Sequence, residues 1–403
     1  LALAQLARLA DPQGGYDTLL AERIRAVLPA CLRNGTRIVT NMGAANPRAA
    51  AARVVEIARE LGCAGLRVAT VTGDDVLQGV TGDERTMEDG RPLDRAMPDR
   101  VSANAYLGAF PIAEALDHGA DIVITGRVAD PALVLGPLIH AHGWKREDLD
   151  LLGAGTLVGH LLECGMQITG GYFADPGVKD VPGLAWLGFP FADVAADGTA
   201  VIGKLDGSGG RIDRETVIEQ MLYEVHDPAD YLTPDVRADF SQVQIEEISP
   251  DRVRVRGAAG RARPPQLKVT VGGNRGFLAE AEISYAGLGA LRRATLAAEI
   301  VEARMARRGA APGAIRFDKI GHASLFTTAG VVTGNEEDIR LRAALRAADR
   351  ELAEALLQEV QGLWIAGPAG GGGYRGRTVP TVETCSVFID RSLASPRIEV
   401  DIV

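Results

Sequence analysis

Apolar residues recur at three- and four-residue spacing over ALAQLARLA (2–10) and again around 17–31, which predicts two helices at the start of the chain. A short strand at 37–40 then breaks into the polar, glycine-bearing turn TNMGAANP, and Pro47 opens a helix over 48–61. Proline suits a first helical position, where its missing N–H has no intrahelical partner to lose. The same plan returns twice. A strand at 66–71 ends in Gly73, Asp74 and Asp75, and a strand at 121–125 ends in a turn holding Arg127 and Asp130 before Pro131 starts a helix. Strands that each lead into a helix predict a parallel sheet with flanking helices, a Rossmann-like three-layer α/β arrangement.

The pattern changes in the second half. SQVQIEEI and RVRVRGAAG alternate apolar and polar positions and read as a hairpin around Pro250. QLKVTVG and FLAEAEISYAG read as a second hairpin across the turn GGNRG (272–276). Helical spacing covers 288–307 and 336–358, with a strand at 315–321 between them. We therefore expect a parallel α/β domain over 1–170, a glycine- and proline-punctuated connection over 171–210, and an α+β lobe over 211–403 that ends in a glycine-rich loop and C-terminal strands.

Composition narrows the classes of function. Hydrophobic content of 46% and charged content of 24% are ordinary globular values. Lys plus Arg number 43 against 53 Asp plus Glu, a net charge of −10, which argues against a nucleic-acid groove or an anionic-membrane surface. No apolar run approaches the ~20 residues of a membrane span. Cys31, Cys63, Cys164 and Cys385 are widely separated, as free thiols in a reducing cytoplasm would be. The chain opens on Leu1 in mid-pattern, so native sequence is expected upstream.

Candidate chemistry gathers where strands end, because helix N-termini and strand-end loops converge there in α/β sheets. Asn41 and Asn46 follow the first strand, Asp74 and Asp75 the second, Arg127 and Asp130 the third, and Asn104 lies in SANAYLG. Amide, carboxylate and guanidinium groups on one rim could orient a carboxylated substrate and move a proton on it. Equally, Asp and Asn after strands cap helices, and Arg127 with Asp130 could be a structural ion pair. In GHLLECGMQITGGYF (159–173), His160 and Glu163 share a helical face that runs into Thr169, Gly170 and Gly171. Glu163 is the candidate acid or base there, and one His–Glu pair is weak support for a metal. HAH (140–142) lacks helical ligand spacing, so no metal site is expected. The glycine-rich turn KLDGSGGRID (204–213) reads as a tight turn ahead of a phosphate cradle. GPAGGGGYRGR (367–377) sits between apolar and strand-like segments, so Gly371, Gly372, Gly373 and Arg375 are expected to contact an anionic ligand rather than to form a linker. The chain contains no GxGxxG after a strand, no GxxxxGK[ST] and no GxSxG, hence no NAD or ATP motif and no serine-hydrolase elbow.

IVTNMGAANP, VTGDD, ANAYLGA, ADIVITGRVADP, the 159–173 stretch, YLTPDV and GPAGGGGYRGR occur in order along the chain. Together they resemble the acyclic terpene utilisation (AtuA-like) family over essentially the whole length. The resemblance implies a bacterial cytoplasmic protein linked to catabolism of citronellol- and geraniol-type terpenes through coenzyme A esters, and it carries no assigned catalytic residues. Family members usually have an earlier glycine-containing strand and turn, and many carry or pair with a small C-terminal domain, so a companion subunit and a homo-oligomer are expected. The reading is a lyase, a hydratase or dehydratase, acting on a branched carboxylic acid or its acyl-CoA thioester. Asp74, Arg127, Asp130 and Glu163 would be catalytic, and the asparagines, Thr169, Gly170, Gly171 and the glycine-rich loop would bind substrate. CoA would enter only as part of the substrate. A non-catalytic acyl-CoA-binding or scaffold subunit is the alternative, and a thioesterase or ligase component the third.

Overall fold

The computed structural model describes residues 1–324 and 337–403, which form two compact units: Leu1–Gly272 with Thr384–Val403, and Gly273–Glu383.

In the first unit the strands Ile38–Thr40, Ile122–Thr125 and Arg67–Thr72 lie side by side in that order and run parallel, as their apolar runs predict. Arg397–Ile402 adds an antiparallel edge, Arg397 beside Thr72. Alternate strand residues enter different apolar clusters. Val68, Ile122 and Ile124 pack with Ile24, Val54 and Ile57 of the helices Leu20–Asn34 and Pro47–Glu60. Ala69, Val71 and Val123 pack with Ile112 and Leu116 of the helix Phe110–Asp117. Burial on both faces is why these strands read as continuous apolar runs rather than as alternating ones. The expected hairpin forms between Gln244–Ser249 and Arg252–Arg256, in a second, antiparallel sheet with Pro190–Val194 and Ala200–Lys204.

The second unit pairs Asp338–Ala347 with Ile315–Ile320 on one side and with Phe277–Ala286 on the other, all antiparallel. The helices Ala290–Arg307 and Arg350–Ala366 bring Val301, Met305, Leu356 and Val360 onto that sheet.

Two expectations are corrected here. GGNRG makes no hairpin turn, because Gln266–Ala286 is one continuous strand. Its C-terminal half pairs with Asp338–Ala347, not with its own first half, and Gly276 (φ +73°) passes so close to the Ala347 carbonyl that a Cβ there would clash. Nor is 336–358 a single helix. Within the described residues it is the strand Asp338–Ala347 followed by a helix from Arg350, capped by Asp349, whose carboxylate accepts the Leu352 N–H at 2.8 Å; residue 336 lies outside the described residues. Ile339, Leu341, Ala343, Leu345 and Ala347 are buried and alternate with more exposed residues, so a period of two wins once strands lie on both sides.

Candidate active site

The rim is held together by one carboxylate. Gly73 (φ +103°) turns the chain after its strand and leaves Asp74 buried, where Oδ2 accepts from Asn104 Nδ2 and from the Arg127 backbone N–H, each at 2.9 Å. Burial raises the Asp74 pKa, opposed by these same two donors. Gly126 is required for the approach, since a Cβ there would lie 2.6 Å from Asp74 Oδ1. Asn46 is a helix cap: Oδ1 accepts from Ala49 N–H at 3.3 Å and the amide donates to the Pro12 and Gly14 carbonyls at 3.0 and 2.8 Å. The Asn41 carbonyl accepts from Ala44 N–H at 3.1 Å, closing the turn after the first strand. Asn46, Asp74, Asp75 and Asn104 line one polar cavity of about 430 Å³.

Arg127 reaches in the other direction. Its Nε donates to the Val128 carbonyl at 2.7 Å, and Nη2 pairs with the Asp130 carboxylate. The guanidinium also lies over the Tyr106 ring, 4.6 Å from its centroid, with Lys268 Nζ 5.2 Å from the same ring. Arg127 therefore ties Asp74, through its backbone, to Asp130, through its side chain.

Asp130 opens onto a second cavity of about 240 Å³, lined also by Tyr106, Glu163, Glu224, Tyr231 and Lys268, with apolar walls that include Leu267 and Phe388. Glu163 arrives on the helix Leu149–Glu163, one turn after His160, and its Oε1 lies 3.0 Å from His160 Nδ1. Tyr231 and Phe240 pack against the His160 ring at centroid distances of 5.1 and 6.0 Å. His160 Nε2 and Glu163 Oε2 are buried and have no hydrogen-bond partner among the described residues. Burial raises the Glu163 pKa above the usual carboxylate range, the His160 hydrogen bond opposes this, and the Asp130 charge adds to it. The Tyr231 phenol is likewise pushed up, first by burial and then by Glu163. Glu224 takes a left-handed backbone conformation (φ +57°) at the cavity wall, a costly position for a non-glycine residue.

Of the residues read from sequence, Asp130 and Glu163 meet at this cavity, Asp74, Asn46 and Asn104 meet at the polar one, and Arg127 bridges the two groups. Thr169, Gly170 and Gly171 form a turn: Thr169 Oγ1 donates to the Met166 carbonyl at 2.9 Å, and its carbonyl accepts from Arg211 N–H. Gly372, Gly373 and Arg375 begin the strand Gly372–Asp390 and, with Gly371, belong to the other compact unit; Arg377 pairs there with Glu280 at 2.6 Å. His140 is held between Arg37 and Asp117. Tyr106, Tyr231, Glu224 and Lys268 escaped the sequence reading. Tyr231 opens the YLTPDV segment, the one signal that could have pointed to it.

The family model described as acyclic terpene utilisation family protein AtuA matches residues 1–400. The chain belongs to the acyclic terpene utilisation family. Comparison with curated proteins and with solved structures returns no match. In this family member no helix among the described residues is long and apolar enough to cross a membrane. Nor do three or more His, Cys, Asp or Glu side chains gather as metal ligands among those residues.

Proposed function

We propose that this chain is a lyase of acyclic terpene utilisation that adds water to, or removes it from, a branched carboxylic acid or its acyl-CoA thioester. The observation that carries the reading is Glu163: a carboxyl group with a raised pKa, fixed by His160 on one oxygen and without a partner on the other among the described residues, at the wall of a half-apolar cavity. Dehydration of a β-hydroxyacyl group needs a base to take the proton next to the carbonyl and an acid to protonate the departing hydroxyl. Glu163, protonated to higher pH than an ordinary carboxyl group, is the acid; Asp130, oriented by Arg127, is the base. Lys268 offers a cation to the carbonyl oxygen as negative charge develops there. The apolar walls suit a branched hydrocarbon. Asp74 and Asn104 act from behind, by fixing the loop that carries Arg127, and Asn46 caps the helix beside them.

The test is to incubate the purified chain with branched unsaturated acids and their CoA thioesters and to follow product masses. Gain of one water supports the reading. Release of free CoA instead would make the protein a thioesterase, and tight binding with no turnover a binding subunit.

A further inference from the structure

A second cluster of charge lies beside the cavity already described. Arg146, Arg263 and Arg391 line a separate cavity of about 360 Å³ together with Asp235, Gly108 and Phe110. The three arginines come from distant parts of the chain: the loop ahead of the helix Leu149–Glu163, the segment ahead of the strand Gln266–Ala286, and the turn that follows the strand Gly372–Asp390. None of them has a carboxylate within ion-pair distance among the described residues. This is unusual in a chain of net charge −10, in which many arginines do pair.

Asp235, the one acid at the cavity, is buried and already committed: its Oδ2 accepts the Ala109 N–H at 2.8 Å, and Gly108 has no side chain because a Cβ would run into the same carboxylate. Three guanidiniums thus face one carboxylate. Like charges brought together at a surface repel, and such a cluster is otherwise dispersed or neutralised. Here it is held. Arg391 donates to the Pro264 and Pro234 carbonyls at 3.2 and 2.7 Å, and Arg146 stacks on the Phe110 ring 3.8 Å from its centroid. Arg146 and Arg263 are exposed, so the mouth is open to a solute. Burial and then the neighbouring Arg263 lower the Arg391 pKa, the cost of keeping the cluster without a counter-anion.

We infer that Arg146, Arg263 and Arg391 form an anion site for a phosphate group. A phosphate dianion matches the surplus of two positive charges, and guanidinium forks fit phosphate oxygens in pairs. Leu267 lines this cavity and the one holding Glu163, and Pro264 and Pro234, which anchor Arg391, line the latter. A phosphate bound here sits next to the proposed reaction site. That the phosphate is carried by the thioester rests on the proposed function; that the site binds phosphate does not.

The experiment is calorimetric titration of the full chain and its R146Q, R263Q and double variants with inorganic pyrophosphate, with coenzyme A and with dimethylacrylate, at low and high salt. Both phosphate compounds should bind. Each single variant should weaken them by about tenfold, salt should weaken them further, and dimethylacrylate should be unaffected. Because both replaced side chains are exposed, unchanged melting curves should accompany the loss. Pyrophosphate binding that depends on the arginines, without coenzyme A binding, would keep the phosphate site and remove the thioester from the proposed function. No binding of either compound, or equal binding by the double variant, would overturn the inference, and water addition to a free acid would then leave the proposed function standing.

Discussion

His160 Nδ1 lies 3.0 Å from Glu163 Oε1, one helical turn away, while the other nitrogen and the other oxygen of the pair are buried without partners among the described residues. Two polar groups that satisfy each other on one side only are costly to keep, and sites that do so are commonly functional. The pair faces Tyr231 and, across the cavity, Asp130.

Glu163→Gln keeps the size of the side chain and an oxygen for His160, but cannot deliver a proton. Turnover should fall by about 10²- to 10⁴-fold with the fold intact. The raised pKa fixes the sign of the stability effect. The folded state favours the protonated acid, so the contribution of Glu163 to stability is fully present below the ordinary carboxylate range and is lost as pH rises through the raised folded value. Denaturation at neutral pH should therefore find the Gln variant no less stable than the parent. An equal loss of stability and turnover would assign Glu163 a structural role.

Dehydration by the parent should decline as pH rises through the raised Glu163 pKa, because the proton donor for the departing hydroxyl is then emptied. A pH–rate profile checks this. A rising limb over the same range would make Glu163 the base and Asp130 the acid.

Gly126→Ala would put a Cβ 2.6 Å from Asp74 Oδ1 and push the carboxylate off the Arg127 N–H and Asn104. Leaving a buried acceptor short of donors and forcing backbone apart should cost about 1–3 kcal/mol, readable in urea denaturation. Turnover should drop too, since Arg127 carries the disturbance to Asp130.

Arg127 holds both the Val128 carbonyl and Asp130 with one planar group stacked on Tyr106. Arg127→Ala should lower kcat/KM by about tenfold or more. Arg127→Lys should recover the charge opposite Asp130 but not the fork, and so only part of the activity. Full activity of the Ala variant would remove Arg127 from the site.

Gly372 has open space where a Cβ would stand, in the strand Gly372–Asp390. Gly372→Asp should leave the melting temperature and coenzyme A affinity unchanged if the arginine cluster reads the phosphate. Weakened affinity in this variant, with R263Q unaffected, would return that contact to the glycine-rich segment.

The amino-acid sequence alone determined the parallel strands and the motifs at their ends. Ile122, Val123 and Ile124 make an apolar run because their strand is buried on both faces, Asn46 and Pro47 mark a helix start by local hydrogen-bonding and φ constraints, and His160 and Glu163 meet by helical spacing. These signals are local, so they survive without knowledge of neighbours. Only the tertiary structure decided that IRLRAALRA is a strand, since its Ala and Arg residues fit either period until strands flank it on both sides. It likewise joined Tyr106, Tyr231 and Lys268 to Asp130 and Glu163, and drew Arg146, Arg263 and Arg391 around Asp235. Those residues are far apart in the chain and carry no shared spacing. Their meeting depends on how helices and strands pack, and pairwise packing leaves no periodic mark on the sequence.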